Sequence, residues 1–209
     1  MKSPLPTLAI LLFTFALNAA SHWPQFRGPG ARGVAEQPDI PDRWSATENV
    51  AWKTDLPGRG WSSPIVWGDR VFLTTVINKG KLEPPKKGLY FGGNRGKPDS
   101  RHEWWVYCLD LKSGKTAWKK KVHEGAPKTA IHLKSSYGAE TAVTDGRLVY
   151  FYFGDLGIFA YTPDGEPVWE KRQRARKTRF GWGTASSPVL HHDRLYVVND
   201  NDEDSYLFA

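Results

Sequence analysis

The sequence predicts an all-β fold built from repeated four-stranded antiparallel sheets. Three observations carry that expectation. The composition suits short strands and turns, a strand–turn–strand pattern recurs along the chain, and a second pattern ends on tryptophan.

The chain has 209 residues, of which 13% are aromatic, with ten Trp, one Met, 20 Gly and 15 Pro. Aromatics favour strands, and Gly and Pro punctuate them with turns. A helical protein would lean on Ala, Leu, Glu and Met instead. The formal charge of +7 suits an acidic partner, such as a polyanion or an anionic surface, although a basic balance also serves solubility alone.

Residues 1–21 read as a signal peptide. Lys2 precedes an apolar run from Leu8 to Leu17, and Ala19, Ala20 and Ser21 offer a cleavage site. The run is short for a bilayer span, and no other stretch is apolar enough to cross a membrane. An uncleaved N-terminal anchor is the alternative. The expected location is therefore periplasmic or extracellular. The single cysteine, Cys108, excludes an intramolecular disulfide, and its alternating apolar surroundings predict a buried strand residue.

The strand–turn–strand pattern occurs at WSSPIVWGDRVFLTT (61–75), GAETAVTDGRLVYFYF (138–153) and ASSPVLHHDRLYVVND (185–200). Each begins with small residues and crosses an apolar run. A turn and an arginine follow (Arg70, Arg147 and Arg194), then a second apolar run. Interleaved with it are CLDLKSGKTAW (108–118) and AYTPDGEPVW (160–169), where Gly114 and Gly165 each stand four residues before Trp118 and Trp169. Both read as hairpins.

Two hairpins per unit, at roughly 45–50 residues, match the period of propeller blades. A lone four-stranded sheet cannot bury both faces, and radial stacking solves this. Trp118 and Trp169 are then expected to plug the joints between blades. The first repeat is too long by about 30 residues against that period. The excess, 78–103, is rich in Gly, Pro and Lys and reads as an inserted loop.

The expected organisation is a partial β-propeller over 22–209. It has a blade-closing strand near 49–53, a blade near 61–121, another near 137–172 and an incomplete blade over 182–209.

The 108–118 segment resembles the tryptophan-docking motif of pyrroloquinoline quinone (PQQ)-type propellers, Ala-x-Asp-x-x-Thr-Gly-x-x-x-Trp. Asp110, Ser113, Gly114 and Trp118 fill the key positions, with Cys108 in place of Ala and Ser113 in place of Thr. The copy ending at Trp169 is one residue shorter and has Thr162 where Asp is usual, and a third copy begins at 206–209. WPQFRGPGARG (23–33), NVAWKTDLPGRGWSSP (49–64) and FGDLGIFAY (153–161) resemble secreted PQQ-like, BamB-like propellers of planctomycete-type bacteria. The resemblance implies that Trp52 matches Trp118 and Trp169, and that residues 49–53 complete a last blade. It also implies an N-terminal fragment of a longer propeller, since closure needs about 4–8 blades.

Relatives of that type that are quinoprotein dehydrogenases hold PQQ on a tryptophan floor, with an adjacent-cysteine disulfide and a calcium ion. This chain has no adjacent cysteines. The acidic run Asp200, Asp202, Glu203 and Asp204 has calcium-type oxygens but lacks the glycine and later glutamate of an EF-hand, so a solvated turn is expected. The six histidines (22, 102, 123, 132, 191 and 192) are scattered, and neighbours such as His191 and His192 are expected to face opposite ways. His132 and Asp155 are candidates to meet near a blade edge. No phosphate loop, GxSxG or HExxH is present.

Two basic regions remain: Lys79, Lys81, Lys86, Lys87, Arg95, Lys97 and Arg101 in the insertion, and KRQRARKTR (171–179) followed by Phe180 and Trp182. Both read as solvated loops or as polyanion contacts.

The expected function is a non-catalytic binding or scaffold propeller of the cell envelope, BamB-like. Its partners would be envelope proteins or an anionic surface or polysaccharide, and not nucleic acid. No catalytic or metal-ligating residue is assigned, and no cofactor is expected. The alternatives are a quinoprotein oxidoreductase of alcohols or sugars, with PQQ and Ca2+, and a polyanion- or carbohydrate-binding propeller.

Overall fold

The computed structural model describes residues 22–35, 40–81, 83–84, 87–88 and 93–209. The signal peptide, and Lys86 of the insertion, lie outside them. Among the described residues the regular structure is eleven strands and two short 3-10 turns.

Blade 1 contains β1 (Ile65–Trp67), β2 (Arg70–Asn78), β3 (His102–Asp110) and β4 (Thr116–Gly125). Blade 2 contains β5 (Val143–Thr144), β6 (Val149–Phe153), β7 (Gly157–Tyr161) and β8 (Pro167–Arg172). Blade 3 contributes β9 (Val189–His191), β10 (Arg194–Asn199) and β11 (Tyr206–Phe208). Each is an antiparallel meander paired in sequence order, so the fold is a partial β-propeller. No strand forms over 49–53, although Trp52 takes up the position of a docking tryptophan.

Register gives each blade two distinct ends. In blade 1, Trp67 pairs with Arg70, Arg70 with Asp110, and Leu109 with Thr116, which places both tight turns together. At the opposite end Asn78 pairs with His102 and His102 with Gly125. The insertion and the 126–142 linker leave from this second end. The two are the hairpin end and the loop end.

Alternation along the strands buries one face of each sheet against its neighbour. Phe72, Trp104, Val106 and Cys108 of blade 1 share a core with Phe151, Phe153, Phe159 and Tyr161 of blade 2. A second, smaller core joins blades 2 and 3 through Tyr152, Ile158 and Val197. Cys108 is fully buried, and burial pushes its thiol up to about 11, which makes it a packing residue.

The tryptophans reach across the joints. Trp118 donates its indole N–H to Pro163 O of blade 2 at 2.8 Å, and Trp52 donates to Leu111 O of blade 1 at 2.8 Å. Each ring lies on the turn glycine of the motif that follows its own. A Cβ on Gly165 would sit 2.7 Å from Trp118, and one on Gly114 would sit 2.3 Å from Trp52. Both glycines also have positive φ (90° and 69°), so the turn and the contact demand glycine together. The sequence pairs each glycine with the tryptophan four residues later. In space its contact is with the preceding tryptophan.

A second dock at the hairpin end places Trp67 over Gly146, with His22 stacked on its outer face at 4.0 Å. The adjoining segment pairs Trp23 with Val66 and receives the Thr144 N–H on Pro24 O at 2.9 Å. The first described residues thus lie along the inner strands of blades 1 and 2.

Candidate functional site

The loop end gathers the side chains whose environments depart most from water. It is built from the insertion, the 126–142 linker, the Gly154–Leu156 turn and the segment around Gly183.

Glu140 is only 2% exposed. Its Oε1 accepts from Gly154 N at 3.1 Å and from Thr184 Oγ1 at 2.6 Å, whereas Oε2 is buried with no hydrogen-bond partner among the described residues. Burial raises its pKa to about 7, against the stabilising hydrogen bonds from Thr184 and Gly154. Glu140 therefore exchanges its proton near neutrality rather than in the ordinary carboxylate range. Asp155, also buried, has a different environment. Its Oδ2 accepts from Lys128 N at 2.9 Å and Thr129 N at 3.3 Å, and its Oδ1 accepts from Thr129 Oγ1.

Around this pair stands an aromatic group. His102 meets Tyr137 edge-on at 5.4 Å, and Trp104 packs on His123 at 5.2 Å. Burial lowers the pKa of both histidines, and Arg172 and Lys128 add to the effect at His123. Tyr137 donates to Thr129 O at 2.7 Å, and its pKa is raised by burial.

Outside the aromatic group lies a cleft of about 360 Å³. Its walls come from β2's end, the 58–59 segment, the insertion and linker residues 131–137. Trp61 and Trp182 hold the 132–138 stretch of the linker: Trp61 Nε1 donates to Lys134 O at 2.5 Å, and His132 N donates to Trp182 O at 3.1 Å. Both indoles nevertheless face outward, at 56% and 40% exposure.

The family described as outer membrane protein assembly factor BamB matches residues 43–202. The chain belongs to this family. BamB from Moraxella catarrhalis is similar at 21% identity and a TM-score of 0.45, over 72% of this chain and 38% of that one. The chain spans well under half the length of that protein. No curated protein matches it.

Several expected site residues take other roles in this BamB-family chain. His132 and Asp155 do not form a pair: His132 packs edge-on against Trp182 at 5.5 Å, and the Asp155 oxygens accept from residues 128 and 129. His191 and His192 were expected to diverge, yet their rings touch at 4.2 Å. His192 has a φ of 54°, and this left-handed turn residue breaks the alternation of a strand.

The acidic run folds as a turn organised by Asn201, whose Oδ1 accepts from Glu203 N at 2.9 Å and Asp204 N at 2.7 Å. Arg176, from the second basic region, pairs with Glu203 at 3.4 Å and Asp204 at 3.5 Å. In the insertion, Lys79 pairs with Glu103, Arg95 with Glu83, Lys97 with Asp99 and Arg101 with Glu124. Among the described residues no three His, Cys, Asp or Glu side chains converge as a metal site. No helix among them is long and apolar enough to cross a membrane.

Sequence reasoning missed Glu140. A signal was present: counting back from the paired residues Ile65, Val143 and Val189, the same register position holds Ser62, Glu140 and Ser186. A carboxylate where the other blades carry a hydroxyl marks a broken repeat.

Proposed function

We propose that this chain is a non-catalytic binding and scaffold propeller of the cell envelope, exported by residues 1–21, that holds partner proteins at the loop end of its blades. The observation that carries this reading is the pair of outward indoles, Trp61 and Trp182, whose residues are hydrogen-bonded to the same linker from two different segments, beside a cleft. Tryptophan is among the side chains that dominate protein interfaces, above all when it is fixed before the partner arrives. Membership of the BamB family supports the same reading, because the member after which that family is named is an assembly factor.

The chemistry of the site supports binding without PQQ or calcium. The rings of Trp52, Trp67 and Trp118 lie on glycine turns between blades, which leaves none of the three as a cofactor floor. Both Asp155 oxygens are occupied by N–H and O–H donors, and burial disfavours the charged form of Glu140, which suits a dication poorly. The ion pairs within the insertion argue against a broad polyanion surface there.

Titrating the purified protein with PQQ and calcium tests the non-catalytic part. The expected result is no saturable difference spectrum and no dye-linked turnover of alcohols or sugars. Saturable binding with turnover would overturn it.

A further inference from the structure

We infer that the loop-end cleft of blade 1 is a binding site for a small organic anion, a carboxylate or phosphate ester on a body of about sugar size. This goes beyond the partner-protein reading and does not depend on it.

The first observation is a charge imbalance. Arg59, Lys81 and Arg95 line the cleft against a single carboxylate, Glu83. Glu83 is taken by Arg95 at 2.7 Å. Arg59 and Lys81 have no ion-pair partner among the described residues. His102, which also lines the cleft, is held toward its neutral form by burial and so leaves the balance of charge to these four side chains. This contrasts with Lys79, Lys97 and Arg101 of the insertion, each of which finds a carboxylate. A half-buried guanidinium without a counter-charge is poorly solvated, and a carboxylate or phosphate matches its planar fork.

The second observation is that Arg59 is built into place. Its backbone exchanges two hydrogen bonds with Val76, each at 2.9 Å. The glycines on either side permit this approach: a Cβ on Gly58 would lie 2.6 Å from Val76 O, and one on Gly60 would lie 2.2 Å from Thr74 O. The Gly58-Arg59-Gly60 segment is thus clamped to β2, and the arginine starts from a fixed point. Such preorganisation lowers the entropic cost of binding.

The third observation is the remainder of the lining. Ser136 Oγ already accepts from Trp61 N at 3.3 Å and Gly138 N at 3.2 Å, which leaves its own O–H to donate. Val76, Ile131, Leu133 and the Tyr137 ring supply apolar wall. A cleft of about 360 Å³ with a few convergent polar groups falls in the size range of small-molecule sites.

Calorimetric titration of the full chain with glucuronate, glucose 6-phosphate and neutral glucose tests the inference. At least one anion should bind saturably, more weakly as salt rises, while glucose should give no signal. Arg59→Gln should weaken anion binding by about tenfold or more, as expected for lost charge-assisted hydrogen bonds. Lys81→Gln, at an exposed position that leaves the fold intact, should weaken it by roughly threefold. Lys119→Gln, on the outer strand β4, should leave it unchanged. The two anions distinguish a carboxylate ligand from a phosphate ester. No saturable binding of either anion up to about 10 mM, well above the range of specific small-ligand sites, would overturn the inference. So would unchanged affinity in a folded Arg59→Gln variant.

Discussion

The hairpin end and the loop end of the same blades solve opposite problems. At the hairpin end the tryptophans and Arg70 have partners on a neighbouring segment or blade. Trp52 and Trp118 lie on glycine turns, Trp67 is covered by His22, and Arg70 reaches Asp164 of the next blade at 3.2 Å. At the loop end, groups are left unsatisfied or outward. Among the described residues, Glu140 keeps a buried oxygen without a partner and Arg59 has no ion pair, and Trp61 and Trp182 face solvent. On the proposed reading, the hairpin end docks blades together and the loop end is the one left for binding.

Mutations should separate the two ends. The largest effect is expected at the hairpin dock. Gly165→Val places a side chain into Trp118 and onto a positive-φ turn, and should cost about 3 kcal/mol or more. Trp118→Ala should cost about 2–4 kcal/mol. Trp169, which is 41% exposed and touches Tyr150 at 5.8 Å with no glycine turn over it among the described residues, should cost less than about 1 kcal/mol when changed to Ala. Urea denaturation of the three variants checks this, and equal losses for Trp118→Ala and Trp169→Ala would remove the docking account.

Glu140 should give the next largest effect, visible only through pH. Its folded pKa of about 7 stands above the ordinary 4.5, so the native state holds a proton that the unfolded chain has released. The stabilisation is complete below the lower value and is lost as pH rises through the upper one. Between the two, stability should fall by up to about 3 kcal/mol. Thermal unfolding from about pH 5 to pH 8 should show this slope in the wild type, and Glu140→Gln should flatten it. A slope unchanged by the substitution would show that other groups govern the region.

The smallest effect is expected at the ion pairs of Arg176 with Glu203 and Asp204 across the joint of blades 2 and 3. Arg176→Ala should cost about 1 kcal/mol or less, and high salt should shrink the difference further.

The repeat was legible in the sequence because strand alternation and the Gly–Trp spacing are one-dimensional signals. The glycine partner of each tryptophan was not, because the ring crosses to another blade. The 49–53 segment shows the same limit: Trp52 docks as its motif implies, but the backbone around it is unpaired among the described residues. Charges were the least legible feature. Lys79, Arg95, Lys97 and Arg101 look free along the chain, and their carboxylates become visible only once the insertion is folded. Arg59 looks like an ordinary turn residue, and its lack of a partner is a property of the fold alone.

The central claim is that partners are held at the loop end. A photo-crosslinking amino acid placed at Trp61, and separately at Lys112 in the hairpin-end turn, tests it most directly in cells. The account predicts a discrete protein adduct from position 61 and none from position 112. Adducts of equal yield at both positions, or none at position 61, would contradict it.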